Sequence, residues 1–159
     1  MDFSEVADRN NKNFVSSKEL MNILPHRYPM LMLDTILDYD FTGEVGWVIG
    51  KKVIGIDSWY LSGHYPENPI MPGSLILESM SQAATFLVLR YENDIHSQGT
   101  VLFAGVKALR FLKPVYPGSE LLLYCNIEKQ RMGIFTIACK CEVDGQVCAT
   151  AEISLRKDG

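Results

Sequence analysis

The sequence predicts an α+β domain in which one long helix is covered by an antiparallel sheet. Residues 73–90 are apolar on most sides and have no glycine or proline after the first position, which is typical of a helix enclosed by other structure. The last third of the chain instead alternates apolar and polar residues, as half-buried strands do. The helix and the strands each need a cover for an apolar face, so we expect them to pack together.

The composition indicates one ordinary folded domain. A chain of 159 residues suits a single core, and 47% hydrophobic with 21% charged residues is typical of globular proteins. Residues 1–13 are polar and offer little burial to offset the entropy of ordering them. We therefore expect a flexible N-terminal tail over residues 1–15 and a single domain over residues 16–159.

Charge and hydropathy argue against several classes of function. A formal net charge of −4 disfavours nucleic-acid binding, which usually needs a basic surface. The apolar stretches are shorter than the roughly 20 residues that cross a bilayer, and the polar start has no signal-peptide core, so we expect a cytoplasmic protein without membrane insertion. The cysteines all lie in predicted strands, and we expect them to be reduced thiols: Cys125, Cys139, Cys141 and Cys148.

Capping and turn residues predict the elements of the first half. Ser16 and Glu19 have the spacing of a capping box, and Pro25 cannot continue a helix, which together predict a short helix over residues 17–24. Residues 30–56 combine β-branched and apolar residues with several glycines, which favours two strands with turns or bulges. The long apolar helix comes after them.

The strands after the long helix are marked by a period of two and by turn residues. Residues 146–155 alternate regularly, with apolar side chains at the odd-numbered positions, whereas residues 121–129 and 134–143 alternate less regularly. Gly133 and the Asp144-Gly145 pair stand between these stretches, where hairpins would turn. This pattern predicts an antiparallel meander of three or four strands.

The residues that favour catalysis lie between positions 63 and 82. His64 is followed by Pro66, Pro69 and Pro72, which fix φ and leave the loop few conformations. A rigid loop of this kind can aim a side chain. A histidine with an ordinary pKa of about 6.5 can be neutral at cellular pH and act as a base. The alternative is a loop or core histidine that is satisfied by a backbone hydrogen bond.

The start of the long helix supplies two further groups. Pro72 and Gly73 open the helix, so its first N–H groups and the positive end of its dipole point outward, and Gly73 allows a close approach. This predicts an oxyanion site. Glu78 lies about 7.5 Å further along the axis, among apolar residues that disfavour ionisation, so we expect it to retain a proton and act as an acid. The alternative for Glu78 is a solvated position on an otherwise buried helix.

Three blocks of the sequence resemble the signature blocks of the FabZ-type 3-hydroxyacyl-acyl carrier protein dehydratases: LPHRYPMLMLD, GHYPENPIMPGSLILESMSQ and FAGVKALRFLKPVYPG. The resemblance spans residues 20–156 and implies the hotdog fold, an antiparallel sheet wrapped around one long helix. It implies that His64 is the catalytic histidine and Glu78 the catalytic glutamate, with His64 of one subunit facing Glu78 of the other. A glutamate at this position resembles the FabZ type more than the FabA-type dehydratase-isomerases, which usually carry aspartate.

The resemblance also implies an activity and partners. The activity is dehydration of 3-hydroxyacyl-acyl carrier protein thioesters to trans-2-enoyl thioesters in fatty acid or related lipid or polyene biosynthesis. Gly73 would hold the thioester carbonyl, and Gln82, Pro72 and Tyr65 would contribute to substrate binding. The implied partners are the acyl thioester, the acyl carrier protein and a second copy of the chain in a homodimer, with a trimer of dimers as the larger assembly. The family implies no metal ion and no cofactor.

Two further predictions concern charged residues outside that site. Lys107, Arg110 and Lys113 form a basic cluster in an acidic chain, which favours contact with an acidic carrier protein. A solvated strand face explains this cluster almost as well. His26 is expected to anchor the first helix to the sheet and to have no catalytic role.

Two alternative functions stay open beside dehydration. A hotdog thioesterase would use the same fold and an acidic residue to direct water at the thioester carbon, although the segment HYPENPIMPG is unusual for that group. A non-catalytic acyl-binding module is conceivable because Ser74, Ser79 and Ser81 stand where the family usually has small apolar residues.

Overall fold

The structure is a computed structural model that describes residues 11–42, 45–91 and 100–158. Within these ranges it has two helices and six strands. In chain order they are α1 (Ser17–Ile23), β1 (Thr35–Thr42), β2 (Val45–Val53), α2 (Gly73–Tyr91), β3 (Thr100–Phe111), β4 (Glu120–Arg131), β5 (Ile134–Val143) and β6 (Gln146–Asp158).

The strands form one antiparallel sheet with the order β1-β2-β4-β5-β6-β3. The predicted meander after the long helix therefore has three strands, β4, β5 and β6. The remaining strand after the helix, β3, pairs with β6 instead of with its neighbour in sequence, β4. As a result β1 and β3 are the two edges of the sheet.

Helix α2 packs against the inner face of this sheet. Every residue of α2 from Ser79 to Leu89 is buried. The alternate residues of β4, β5 and β6 are buried as well, among them Leu123, Phe135 and Ile153, which are 0% exposed. Burial of a leucine or phenylalanine side chain stabilises a fold by about 1.5–3 kcal/mol, so this contact is a major source of stability. The predicted α+β class, with one long helix covered by a sheet, is confirmed.

Helix α1 begins at the predicted capping box. The Ser16 side chain accepts a hydrogen bond from the N–H of Glu19, and the Glu19 carboxylate accepts one from the N–H of Ser16 at 2.9 Å. The Ser16 hydroxyl also donates to the Glu19 carboxylate at 2.6 Å, and this hydrogen bond together with that from the Ser16 N–H lowers the pKa of Glu19. The helix ends at Ile23, one residue before the predicted end, because Leu24 is extended. A residue that precedes proline avoids helical angles.

The two predicted hairpin turns have the backbone that such turns require. Met132 and Gly133 have φ angles of 53° and 76°, and Asp144 and Gly145 have φ angles of 50° and 73°. Two successive residues in the left-handed region match the twist of the flanking strands. The turns join β4 to β5 and β5 to β6, so the predicted hairpins are confirmed.

The four cysteines are free and buried. The alternation of β6 would put Cys148 on the outer face, but the pairing of β5 with β6 slips by one residue beside it, and Cys148 is 2% exposed. Burial raises the pKa of the Cys141 thiol to about 12, which keeps this thiol protonated at neutral pH.

The folded domain begins before residue 16. Val15 exchanges two backbone hydrogen bonds with Ile36, at 3.0 and 3.1 Å, and is 4% exposed. The Asn13 amide donates to the Asp38 carboxylate and to the carbonyl oxygen of Tyr39, both at 3.0 Å. Residues 11–15 therefore belong to the fold and not to the predicted tail, since they find partners on β1 that a local pattern cannot show. Residues 1–10 lie outside the described residues, and the tail stays a prediction there.

Candidate active site

His64 lies in a loop between β2 and α2 that backbone hydrogen bonds close. The N–H of Ile70 donates to the His64 carbonyl at 3.0 Å, and the N–H of Asn68 donates to the Tyr65 carbonyl at 3.0 Å. The N–H of Met71 then donates to the carbonyl of Val115 at 2.8 Å, which ties the loop to the segment between β3 and β4. These contacts agree with the rigid loop that the prolines predict.

One hydrogen bond determines the tautomer of His64. Its Nδ1 lies 3.0 Å from the carbonyl oxygen of Ile70. A carbonyl oxygen only accepts, so Nδ1 carries the hydrogen, and in the neutral ring Nε2 keeps a free lone pair. The Tyr65 ring stacks on the imidazole with a centroid distance of 4.1 Å and an angle of 26°. The ring is therefore held in place, and the backbone satisfies only one of its two nitrogens.

The first turn of α2 lines a cavity together with His64. The cavity has a volume of about 300 Å³, and Gly73 and residues 111–114 also line it. The first i-to-i−4 hydrogen bond of the helix joins the N–H of Ile76 to the carbonyl of Pro72 at 3.0 Å, so the first two helical N–H groups have no partner within the helix. These groups and the helix dipole favour a negatively charged oxygen beside them.

Gly73 is required by the close approach of an aromatic ring. A Cβ atom at this position would lie 2.8 Å from Cζ of Phe111 and 3.0 Å from both of its Cε atoms. Any other residue at position 73 would therefore displace the Phe111 ring, which is itself 51% exposed. The reason for glycine here is space and not a special φ angle.

Glu78 lies on a different side of α2. It lines neither the cavity of Gly73 nor a second cavity of about 350 Å³ that His64 and Pro72 share. At about 100° per residue, its side chain is turned by about 140° from Gly73 around the helix axis. The Glu78 side chain is 29% exposed. Within one chain, the predicted base and the predicted acid thus face different surroundings.

Gln82 holds Glu78 and is itself held by the backbone. Its Nε2 donates to Oε1 of Glu78 at 2.7 Å and to the carbonyl of Met30 at 2.7 Å, while its Oε1 accepts from the N–H of Met32 at 2.8 Å. Gln82 is 0% exposed. Every side-chain hydrogen of Gln82 and its oxygen therefore have partners, so Gln82 fixes the Glu78 carboxyl group and does not line the cavity beside His64.

His26 lies beside Glu78, a neighbour that the sequence pattern did not predict. It was expected to anchor α1 to the sheet, yet its Nε2 lies 3.7 Å from Oε1 of Glu78. Burial lowers the pKa of His26, and the nearby Glu78 carboxylate only partly opposes this shift. No motif spacing links positions 26 and 78, so only the fold could bring these side chains together.

The predicted basic cluster is divided between two places. Lys113 lines the cavity beside His64 and is bonded to the Gln146 side chain. Lys107 pairs with Glu152 and Arg110 with Thr150, and the irregular register between them puts both on the outer, helix-free face of the sheet. All three basic side chains are exposed.

Comparison with known proteins identifies the family. The FabA-like domain family matches residues 24–152. A 3-hydroxyacyl-[acyl-carrier-protein] dehydratase FabZ from Oleidesulfovibrio alaskensis is 37% identical over 144 residues, which are 90% of this chain and 91% of that protein. The FabZ of Brucella melitensis is 43% identical over 135 residues, or 85% of this chain and 83% of that protein. The chain belongs to the FabZ family.

Solved structures support the hotdog fold of this FabZ chain. One chain of the dehydratase heterocomplex ApeI:P from Xenorhabdus doucetiae has a TM-score of 0.70 at 19% identity and covers 88% of this chain and 91% of its own length. A candidate thioesterase from Lactococcus lactis, yhdA, has a TM-score of 0.65 at 10% identity, with 83% and 98% covered. At these identities the likeness concerns the fold alone. In the described part of the chain, neither helix is both long and apolar enough to cross a bilayer.

Proposed function

We propose that this FabZ chain converts 3-hydroxyacyl-acyl carrier protein thioesters into trans-2-enoyl thioesters by removing water, as a step of fatty acid or related lipid biosynthesis. His64 is the base, Glu78 the acid, and Gly73 the donor to the thioester oxygen. One observation carries the roles of His64 and Gly73: His64, whose Nε2 has no hydrogen-bond partner among the described residues, lines the same cavity as Gly73, whose N–H has no partner within α2. The relatives named as FabZ dehydratases, at 34–43% identity, support the same reaction.

The reaction requires two proton transfers and one stabilised charge. The C2 proton moves to Nε2 of His64, the C3–O bond breaks, and the proton of Glu78 joins the departing oxygen, which leaves as water. The Gly73 N–H stabilises the charge that develops on the thioester oxygen, and loss of one such donor typically raises a barrier by about 2.7–4 kcal/mol. An imidazolium and a carboxylate are left, and exchange of protons with water restores both.

Glu78 acts on substrate bound at His64 of a second copy of the chain. Its direction around α2 and its absence from both cavities beside His64 support this arrangement. The side chain is 29% exposed in one chain, whereas a carboxyl group that must keep a proton near neutral pH needs a less polar surrounding. A second subunit that covers Glu78 would provide that surrounding.

The edge strand β3 is the surface through which two copies associate. It has one unpaired edge, and its exposed side chains and those just after it include several large apolar ones, each 36–55% exposed: Leu102, Phe103, Val106, Phe111 and Leu112. An apolar edge strand that is left uncovered invites pairing with another chain. A homodimer formed there would also cover the cavity that Phe111 and Leu112 line, and three such dimers could form the larger assembly.

The acyl carrier protein approaches the cavity through the basic residues. Lys113 is exposed and lines the cavity, so it is the member of the cluster that a carrier-bound acyl chain would pass. Lys107 and Arg110 lie on the outer face of the sheet and would steer an acidic carrier at longer range. Tyr65 stacks on the His64 ring, Pro72 lines the second cavity beside it, and both would contact the substrate.

A single assay separates this function from its alternatives. The chain is given a 3-hydroxyacyl thioester, and the absorbance of a conjugated enoyl product is followed beside the release of free thiol. We expect enoyl formation that His64→Ala and Glu78→Gln each abolish. Thiol release would instead indicate a thioesterase, and binding with neither product would indicate an acyl-binding module.

The matched control for that assay is Ser79→Ala. Ser79 is next to Glu78 in sequence, but it is buried and donates to the carbonyl of Leu75 at 2.9 Å. It lines neither cavity beside His64. The variant should therefore keep the wild-type rate, which would also show that a serine in this helix is compatible with a working site.

A further inference from the structure

Two side chains from different parts of the chain face one oxygen of the Glu78 carboxyl group. Nε2 of Gln82 lies 2.7 Å from Oε1, and Nε2 of His26 lies 3.7 Å from the same atom. We propose that His26 is a positioning residue that acts with Gln82 to keep Oε1 free of a proton, so that Oε2 is the oxygen that protonates the leaving hydroxyl. The inference rests on the proposed role of Glu78 as the acid.

The orientation of the Gln82 amide follows from its other partners. The N–H of Met32 needs an acceptor, so the atom facing it is Oε1 of Gln82, and the carbonyl of Met30 needs a donor, so the atom facing it is Nε2. The second hydrogen of that nitrogen then points to Glu78. Oε1 of Glu78 must accept this hydrogen, and it cannot donate a hydrogen in the same direction.

His26 presents a neutral ring to the same oxygen. Burial lowers its pKa, and its Nδ1 is buried with no hydrogen-bond partner among the described residues. The electronegative Oε1 favours the tautomer with the hydrogen on Nε2. At 3.7 Å the distance from Nε2 to Oε1 is longer than a hydrogen bond. The His26 ring therefore acts on Glu78 through electrostatic attraction and by filling the space beside the carboxyl group.

The segment that carries His26 is fixed to both helices. Arg27 donates to the carbonyl of Leu24 at 2.9 Å and to that of Met21 at 2.7 Å, which caps the end of α1. Gln82 of α2 binds the same segment at Met30 and Met32. His26 is thus supported on either side, as a residue that positions another side chain needs to be.

Oε2 is the remaining oxygen of Glu78, and no described residue makes a hydrogen bond to it. An oxygen that carries a proton needs an acceptor in front of it, and Oε1 faces two N–H groups instead. The proton of the acid form therefore sits on Oε2. It passes to the C3 oxygen as the C3–O bond breaks, and Glu78 is left as a carboxylate whose Oε1 keeps the contacts with Gln82 and His26.

The decisive measurement compares two leaving groups with the full-length enzyme in its native oligomeric state. A hydroxyl leaves with the help of an acid, whereas chloride from a 3-chloroacyl thioester needs no proton. We expect His26→Leu to lower kcat for the 3-hydroxyacyl thioester by about 10- to 100-fold, as a misplaced catalytic group does, with KM and the rate of chloride elimination nearly unchanged after subtraction of the spontaneous reaction. Equal slowing of both substrates, or no slowing of either, would overturn the proposal.

Two further variants separate positioning from packing. In His26→Gln an amide nitrogen can reach the place of Nε2, whereas the shorter side chain of His26→Asn reaches only the place of Nδ1. We expect glutamine to restore most of kcat and asparagine to restore little, even where the two variants unfold at the same temperature. Equal rates for the two variants would assign His26 a packing role and sink the idea.

Ser17→Ala is the control for a general loosening of the segment. The Ser17 hydroxyl, at the start of α1, donates to the carbonyl of Asp34 at 2.7 Å. This hydrogen bond joins the two ends of the stretch that carries His26, but it does not involve His26 or Glu78. This variant should not distinguish the two substrates, and a loss of hydroxyl elimination as large as that of His26→Leu would contradict the inference. A wild-type chain that forms no enoyl product, or a Glu78→Gln variant with full activity, would refute the proposed function instead.

Discussion

His64 and Glu78 are held by different means and to different degrees. His64 lies in a proline-containing loop, with one ring nitrogen bonded to Ile70 and with its ring stacked on Tyr65. Glu78 stands on a regular helix, is held through a single oxygen and is 29% exposed. The proposed base lines its cavity within one chain, whereas the proposed acid is held but not enclosed. An active site assembled from two copies, as we propose, would leave this difference in each copy.

The largest effects should come from the two residues themselves, and they should differ in kind. His64→Ala and Glu78→Gln should each lower kcat for the 3-hydroxyacyl thioester by about 10²- to 10⁴-fold, since each removes one proton transfer. Only His64→Ala should also slow chloride elimination from the 3-chloroacyl thioester, because this reaction still needs a base. If Glu78→Gln slows chloride elimination as strongly, the roles assigned to the two residues are wrong.

The next largest effect should come from the wall of the cavity. In Gly73→Ala the new methyl group displaces the Phe111 ring and crowds the first N–H groups of α2, so kcat/KM should fall by roughly 10- to 100-fold, as expected when an oxyanion donor is misplaced. The double variant Gly73→Ala/Phe111→Leu should recover part of this loss.

Gly133→Ala is the control for that substitution. Gly133 lies in the turn between β4 and β5, and a Cβ atom there would contact only the Lys157 carbonyl oxygen, at 3.4 Å. Its kcat/KM should stay close to that of the wild type. A double variant no better than Gly73→Ala alone would contradict the steric explanation.

A smaller effect, on stability, should come from the residue that holds the acid. Gln82→Met keeps the shape of the side chain but leaves the buried N–H of Met32 without an acceptor. This should lower the free energy of unfolding by about 1–3 kcal/mol, which thermal denaturation would register. Thr85→Val, a similar change at another buried polar position of α2, should cost less than about 1 kcal/mol. Equal losses would mean that the hydrogen bonds of Gln82 do not matter.

The smallest effect should be a change in how stability depends on pH. Burial lowers the pKa of His26 from its ordinary value of 6.5, so the unfolded chain takes up this proton at a higher pH than the folded chain does. The stabilisation of the folded chain that results from this shift is therefore complete above about pH 6.5, the pKa of the unfolded chain, and is lost as the pH falls below it. Melting temperatures at about pH 7.5 and pH 5.5 should thus differ less for His26→Gln than for the wild type. A larger difference in the variant would contradict the lowered pKa.

Local signals in the sequence were sufficient for elements that neighbouring residues determine. The capping box of Ser16 and Glu19, the turn at Asp144-Gly145 and the start of α2 at Gly73 were all predicted correctly. The pairing of β3 with β6 and the bridge of Val15 to Ile36 were not predicted. Both join residues far apart in sequence, and no periodicity within a segment specifies its partner.

The same distinction applies to the site. The prolines around His64 and the start of α2 predicted a rigid loop that aims the histidine and a helix end with free N–H groups, because all of these lie within one short segment. The contact of His26 with Glu78 and that of Phe111 with Gly73 depend on the tertiary fold, so sequence spacing could not show them. The apolar surroundings expected for Glu78 are likewise incomplete in one chain, in which 29% of the side chain is exposed.

Mixed dimers test the shared site most directly. His64→Ala and Glu78→Gln chains, each inactive alone, are combined under conditions in which subunits exchange, and formation of the enoyl product is measured. Statistical mixing puts one intact pair of His64 and Glu78 into each mixed dimer, so activity should return to about one quarter of the wild-type value, since about half of the dimers are mixed and each has one working site of two. Activity that stays at the level of the separate variants, although mixed dimers are demonstrated, would show that both residues act within one chain.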